Sequence, residues 1–536
     1  MAVLLTVAGC ARLGCEKSPA AEVGGPLRYL PRTAEAALVV PDLGVIGDRL
    51  ALLEKLKIAS FAAQLQGVSN AKVLVDALIR DVGVELRSRE ELKKAGLAPE
   101  RGFGAAVLPQ GEAFFVVGVS DAGRFGETIK KLAQTRLGAG VESTSEAGGR
   151  KIVSFSRAAG AKPEFGYVLL DGYALAAPGE LSKRLPEFAS LAKEKSLAAD
   201  PQLEGSLSRL PKERDLIVHL PATELMGAPR PSSRPAVPVP VTLVASLGAD
   251  ALKVHADVPW PDSVNTLGML ERKDGAADLL KLLPSDAFVV ARFGGDAEAL
   301  EPVLPMILGP YLQRAFEESK LDLKKEVLAN LQPGSVAALA VSPTIPLGMG
   351  MPQFDVRRTN PFKYVHLVAL AQTKQPEKLE PLLARMPELA PRFGARIEPT
   401  SKDGDTLYVT SYAHGEGIHF ADAAGKVVFA SPLGRLERAL ATVKTPEGST
   451  APALLKDPAL AQVLKDYPLA VVVDLHQLAD SVKALPSEAW GIGGFAIKAT
   501  TVRWLEGMGD LRAITLGMLR KDNAVQAELA LRFAKQ

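Results

Sequence analysis

The amino-acid sequence predicts an α+β fold built as two similar tandem domains, each a mainly antiparallel sheet with helices packed on it. Three observations predict it. Short β-prone runs come in pairs joined by tight turns, such as Gly166 to Leu170 and Tyr173 to Ala177 around Asp171-Gly172, and tight turns impose antiparallel pairing. Stretches with apolar residues at helical spacing lie between those pairs, which makes the class α+β. The same order of landmarks then occurs twice, opened by residues 29 to 40 (YLPRTAEAALVV) and by residues 282 to 293 (LLPSDAFVVARF).

In the first half Ala36 to Val40 reads as a strand. Val45 to Gln66 and Ala71 to Val82 read as helices, and Ser88 caps a short helix to Ala95 with Glu91 three residues on. Gly104 to Leu108 and Ala113 to Val119 are strands. Asp121 opens a helix through Phe125, Ile129 and Leu132. Lys151 to Ser156 and the Asp-Gly pair of strands follow; Asp171-Gly172 predicts a type I′ turn, with positive φ at both residues. Pro178 stands where a helix begins, at a position with no hydrogen bond to lose. After Asp200-Pro201 come a helix to Leu210, a strand from Leu216 to Leu220, a Pro- and Ser-rich loop, and a hairpin of Val241 to Leu247 with Leu252 to Val258.

The second half repeats this order. Phe288 to Phe293 opens it, and Ala297 to Ala315 and Leu323 to Asn330 read as helical. Val336 to Val341 and Tyr364 to Ala371 are strands, with a helix over Pro376 to Met386. Leu407 to Ser411, Ile418 to Ala421 and Val427 to Ala430 repeat the strand triplet. Pro432 answers Pro178, Asp457-Pro458 answers Asp200-Pro201, and Leu469 to Leu475 answers Leu216 to Leu220. A hairpin around Lys521-Asp522-Asn523 closes the chain. The domains expected are a leader and tether over 1–27, then repeats over 28–262 and 263–536.

These landmarks resemble an uncharacterised bacterial envelope family. Its members open Leu-Pro-Ala-Asp-Thr before an apolar strand and later carry a strand-turn-strand-Pro/Ser-helix unit and an Asp-x-Pro near a last helix. Here Leu283-Pro284-Ser285-Asp286-Ala287, Ala430-Ser431-Pro432 and Asp457-Pro458 carry the similarity, with Leu30-Pro31, Ala177-Pro178 and Asp200-Pro201 in the first half. The resemblance covers most of the chain after residue 27. It implies an extracytoplasmic location and brings no activity, cofactor or site residue.

Composition narrows the class. The 536 residues are 47% hydrophobic and 23% charged, the balance of a folded chain that buries large cores without staples. Lys and Arg number 63 against 61 Asp and Glu, a net charge of +2. A nucleic-acid binder carries a basic face, so none is expected as a partner. Aromatic residues are only 5% of the chain, which speaks against stacking platforms. The chain has two cysteines, Cys10 and Cys15, so disulfides and thiolate metal sites are not available to the domains.

Those cysteines read as an address. Ala2 to Ala8 is apolar, and Val7-Ala8-Gly9-Cys10 resembles the bacterial lipobox, whose cysteine is lipidated and becomes N-terminal. No Lys or Arg precedes Cys10 to supply a charged n-region, and the expectation is a start upstream of Met1. Ala11 in place of Asp implies, by the sorting rule of such lipoproteins, the outer membrane. A membrane held through lipid at Cys10 is thus one expected partner.

Catalytic patterns are sparse. His414, Glu416 and His419 offer imidazole and carboxylate for a metal, yet their glycine-rich surroundings read as a solvated turn without a fourth ligand. Asp474 and His476 would share one face of a strand, as an acid–base pair does, but no nucleophile motif accompanies them. Gly491-Ile492-Gly493-Gly494-Phe495-Ala496 has dinucleotide-loop spacing, but no strand precedes it and β-prone Ile497 to Val502 follows. The chain is therefore read as non-enzymatic, without metal or cofactor: a binding or scaffold module. Alternatives are a carrier of an apolar ligand and, third, a hydrolase with a dispersed site.

The most informative stretch is an insertion. Between matched strands the first half has Pro109 to Glu112, while the second has Ser342 to Phe362. It places Ile345, Leu347, Met349, Met351 and Phe354 beside Arg357 and Arg358 in a Pro/Gly-rich loop. Long loops of this kind carry function, and Met suits adaptable apolar contacts, so these residues are the expected site for a protein partner. The address has its own test: Cys10→Ala is expected to move the chain from the membrane fraction to the soluble one, and unchanged fractionation would remove the lipid anchor.

Overall fold

Each apolar run that opens a half becomes a central strand. The first unit ends at Trp260 and the second runs from Pro261 to Ala534. The computed structural model describes residues 24–223, 239–260, 270–271, 277–303, 322–342, 365–412, 415–446, 451–485 and 494–534.

The first unit holds β1 (Ala36–Val40), β2 (Phe103–Val107), β3 (Ala113–Gly118), β4 (Val141–Ala147), β5 (Arg150–Ser156), β6 (Phe165–Leu169), β7 (Tyr173–Pro178), β8 (Leu216–Thr223), β9 (Val239–Leu247) and β10 (Ala251–Pro259). Antiparallel pairings order them β4-β5-β6-β7-β3-β2-β1-β8-β9-β10. The second unit holds β11 (Ala287–Phe293), β12 (Leu331–Val341), β13 (Val365–Thr373), β14 (Ala395–Lys402), β15 (Asp405–Tyr412), β16 (Gly415–Glu416), β17 (His419–Ala423), β18 (Lys426–Ser431), β19 (Leu469–Asp474), β20 (Leu511–Lys521) and β21 (Ala524–Phe533). Its order is β14-β15-β17-β18-β13-β12-β11-β19-β20-β21, with β16 on the end of β15. The fold is α+β, and the order of pairing is the same in both units.

After a single helical turn at Gly24–Leu27, the helices of the first unit are α1 (Ile46–Lys55), α2 (Lys57–Leu65), α3 (Ala71–Val82), α4 (Arg89–Lys94), α5 (Ala122–Leu137), α6 (Leu185–Ala189) and α7 (Pro201–Arg209). Alternate strand residues face opposite ways, and both faces are covered. Phe114, Val116 and Leu175 join Phe188 of α6 and Leu203 of α7 in one core, while Ala174 and Ala176 face Leu92 of α4 and Phe125 of α5 in another. Phe114 stacks on Phe188 at 4.4 Å, and Phe125 meets Tyr167 edge-on at 5.5 Å. The second unit has α8 (Pro376–Leu389), α9 (Leu433–Lys444), α10 (Pro458–Asp466), α11 (Leu475–Ala484) and α12 (Gly494–Gly507). Val290, Val368 and Val472 are buried under Leu436 of α9 and Leu460 of α10. Leu379 and Leu382 of α8 pack on Val427, and Leu383 on Tyr408 and Phe420.

Side-chain caps set several helix starts. Asp121 accepts from the Arg124 N–H at 3.0 Å, Asp200 from Gln202 at 2.8 Å and Asp457 from Ala459 at 3.0 Å. At the last hairpin Asp522 and Asn523 both have positive φ, 48° and 56°, as a type I′ turn requires.

Several expectations are corrected. At Asp171-Gly172 only the glycine has positive φ (74°), so the turn is not type I′; the Leu170 N–H bonds the Tyr173 carbonyl at 2.7 Å instead. The expected helix over Val45 to Gln66 is two helices, because Leu56 is extended (φ −73°, ψ 125°). Pro178 is the last residue of β7 and precedes a 3-10 turn at Gly179–Arg184. Ala297–Val303 is a 3-10 turn, Leu323–Val327 is a π turn, and residues 304–321 lie outside those described. The β-prone Ile497 to Val502 lies inside α12. Strands β4 and β14 were not expected: β4 is polar on both faces between its end residues, and β14 buries Ile397 alone, so neither shows a sustained apolar alternation.

The two aspartate caps test the packing around them. Asp457→Ala removes a cap from α10 and is expected to cost about 1 kcal/mol. Asp200→Ala also strips Arg32, which bonds its carboxylate at 3.1 Å, and is expected to cost about 2 kcal/mol or more. Urea unfolding compares them; equal losses would show that the Arg32 bond adds nothing.

Candidate functional site

In the second unit the segment Leu282 to Asp286 leads into β11, and α9 follows β18. Between them lies a cleft of about 390 Å³. Leu282, Leu283, Val368 and Ala439 give it an apolar side, and Asp286, Arg435, Arg438 and Thr442 a polar one.

Arg435 organises the polar side. It is only 8% exposed, and its guanidinium grips both carboxylate oxygens of Asp286, at 2.7 and 2.5 Å. Its Nε donates to Nδ1 of His366 at 3.1 Å. That bond needs a bare Nδ1, so the His366 proton sits on Nε2. Burial, and then the charge of Arg435, hold His366 below the ordinary imidazole value. Burial pushes Asp286 up, but the bonds and charge of Arg435 outweigh it and hold the carboxyl below its ordinary value. Asp286 and Arg435 thus form a fixed pair, joined bidentately. Arg438 is exposed, donates to the Gly434 carbonyl at 3.1 Å, and pairs with no carboxylate among the described residues. An apolar floor beside a guanidinium without a carboxylate suits a group that joins an apolar side chain to an anion.

This cleft lies at the foot of the insertion. Val341 of β12 pairs with Val365 of β13, and the next residue, His366, is the one bonded to Arg435. The expected partner-binding residues Ile345, Leu347, Met349, Met351, Phe354, Arg357 and Arg358 lie outside the described residues, as do Cys10 and His414. Asp286, His366, Arg435 and Arg438 were not singled out from the sequence. Asp286 stood inside the Leu-Pro-Ser-Asp-Ala landmark, but Arg435 is 149 residues away and no short motif joins the two.

The groups that sequence reading did single out have other duties. His419 is fully buried in β17; its Nδ1 accepts from the Thr410 N–H at 3.0 Å, and Nε2 faces Glu416 at 3.4 Å. Glu416 also accepts from the Leu433 N–H at 3.3 Å, at the start of α9. His419 and Glu416 therefore brace β17 against β15 and α9. Asp474 ends β19 and caps α11, accepting from Gln477 at 2.9 Å and pairing with Arg512. The chain turns from strand to helix there, so His476 lies in α11 and shares no strand face with Asp474. Gly491 to Gly493 lie outside the described residues, and Gly494 begins α12. Among the described residues no three His, Cys, Asp or Glu side chains gather to hold a metal, and no helix is long and apolar enough to cross a membrane.

His219 is a further buried imidazole. In β8 it pairs across to Ala37 and Thr242, and its Nδ1 lies 3.0 Å from the Thr242 hydroxyl. Counted from Leu30-Pro31 and Leu283-Pro284, the second unit has Val290, Val472 and Thr515 at these three places.

No family model matches the chain, and no curated protein matches it. Among solved structures it is similar to TP0453 in two crystal forms, at 11% identity and a TM-score of 0.24. That match covers 44% of this chain and 80% or 79% of the other.

The imidazoles give a pH test. Burial lowers His219, His366 and His419 below their ordinary 6.5. Below that pH the unfolded chain binds protons that the folded rings do not, so stability falls as pH drops under 6.5 toward the lowered folded values. Asp286 acts at lower pH: its stabilisation is present above 3.8 and is lost as pH falls through its lower folded value. His219→Val copies the second unit's valine and is expected to fold and to lose less stability than wild type between about pH 7 and pH 5. Equal losses in urea melts would mean that His219 is not held neutral.

Proposed function

We propose that this chain is a non-enzymatic lipoprotein of the bacterial cell envelope, held at the outer membrane through Cys10, whose two units act as a binding or scaffold module. We infer further that the units are copies of one ancestral unit and that the second copy carries the site for a protein partner. The shared order of strand pairing supports the duplication.

One observation carries the partner site. In the first unit the connection from β2 to β3 is residues 108 to 112, closed by a 2.7 Å bond from the Leu108 N–H to the Glu112 carbonyl. In the second unit the matching connection is residues 342 to 364, and its root is fastened through His366 and Arg435 to Asp286. A long connection on a rigid seat is how folds present binding loops. Its apolar residues Ile345, Leu347, Met349, Met351 and Phe354, with Arg357 and Arg358, supply the contact, and the cleft with Arg438 extends it.

Deleting Pro346 to Arg358 and joining the ends with Gly-Ser tests this directly. The expected result is a melting temperature close to wild type with loss of partner capture from membrane extract. A large drop in stability would put the loop in the core and end the proposal.

A further inference from the structure

The first unit has an opening of its own. A groove of about 540 Å³ runs between α3, α4 and α5. Leu132, Val84 and Ala95 line it with apolar surface, and Arg80, Lys94, Lys131 and Arg136 surround it with four cations. Two carboxylates share the lining, and both are engaged: Glu91 holds Lys94 at 2.5 Å, and Glu85 faces Arg87 at 3.7 Å. Arg80, Lys131 and Arg136 pair with no carboxylate among the described residues, so the groove carries unbalanced positive charge.

The helices around it are fixed. Gly83 ends α3 with a left-handed φ of 77°. Arg87 bonds Glu54 of α1 at 2.9 Å and also Asp76 of α3. Ser88 caps α4 through the Glu90 and Glu91 N–H groups. The cations therefore project from a braced frame.

We propose that this groove receives the phosphate headgroup of an anionic phospholipid at a bilayer surface. Three unpaired cations around one concavity select an anion. The lips select lipid over free phosphate. Val82, next to Gly83, is 43% exposed, and Leu137, next to Arg136, is 36% exposed, so exposed aliphatic side chains stand one residue along the chain from the groove lining. Long cationic side chains reach headgroups while neighbouring aliphatic ones meet acyl chains. Nucleic acid is a poor fit, because the groove has no aromatic lining on which bases stack. The proposal goes beyond the anchor, since its contacts do not involve Cys10.

The experiment uses the full chain carrying Cys10→Ala, so that acyl insertion plays no part. Its co-sedimentation is measured with phosphatidylcholine vesicles, with and without phosphatidylglycerol. Binding is expected only to the anionic vesicles and should fade as salt rises from about 0.1 M to about 0.5 M. Lys131→Ala and Arg136→Ala should each weaken it about fivefold, and together about 25-fold. Leu137→Ser should weaken it too, while Arg157→Ala, whose side chain pairs with Glu164 at 2.9 Å outside the groove lining, should not. Unchanged urea midpoints of these exposed-site variants confirm that they fold. Equal binding to neutral vesicles, no binding at all, or a loss on removing cations but none with Leu137→Ser would each overturn the proposal. The last outcome would mark a site for free phosphate or an acidic peptide. None of these outcomes bears on the Cys10 anchor or the second unit's connection, because neither contributes to the readout.

Discussion

Everything in each unit depends on its first strand being closed in on both sides. β1 is made early in the chain, yet it pairs at once with β2 and with β8, so Ala37 meets Ala106 on one side and His219 on the other. β11 does the same between β12 and β19. Without the second pairing the strands β2 to β7 and the hairpin of β9 and β10 would be separate sheets, each with half a core. Such a strand has no spare face or edge. That explains its residues: Ala37 and Val39 are almost wholly buried, and no charge interrupts Ala36 to Val40. Closure over this sequence distance is slow to form, and helices that bury both faces must reward it.

The constraint also shows in how the two units fill the same place differently. Where the second unit has Val290 beside Val472, the first has Ala37 beside His219. A larger ring on one strand is offset by a smaller side chain on its neighbour, as close packing requires. Threonine stands third in both, and in the first unit its hydroxyl meets the imidazole. In the second unit the Thr515 hydroxyl has no partner among the described residues. A polar ring in a sheet centre is tolerated because one nitrogen is bonded and the ring stays neutral.

The legible parts of the fold were those with local causes. β7 and β18, α5 behind Asp121, and α7 and α10 behind their Asp-Pro caps follow from turn, cap and period-two rules that act over a few residues. What escaped was decided by tertiary surroundings. β4 and β14 sit at the sheet edges and pair with β5 and β15, and apart from Ile397 and the end residues their side chains resemble loop sequence. Ile497 to Val502 has β-branched residues but lies in α12, where tertiary context overrides propensity. Asp474 and His476 were one step from a correct placement, but the strand ended at the aspartate because it caps the next helix. The cleft was the least legible feature. Its Arg435 fork, on α9, needs Asp286 from just before β11 and His366 from β13, and only the folded sheet order brings them together.

The difference between the units then has a physical reading. Their sheets use the same strand order, so the sheet alone cannot give them different roles. The first unit inserts α1 to α4 between β1 and β2, and Arg87 binds that addition into one frame through Glu54 and Asp76. The second unit extends the β12–β13 connection and fixes its root with Arg435. In the first case a multidentate arginine ties parts of the added segment to one another, and in the second it ties the residue after the connection to the segment before β11. Arginine suits this work because its planar fork holds two or three partners in one geometry, which a lysine point charge cannot do. The cations that pair with no carboxylate among the described residues, Arg80, Lys131 and Arg136 in one unit and Arg438 in the other, are then the charges on which the proposed contacts rest.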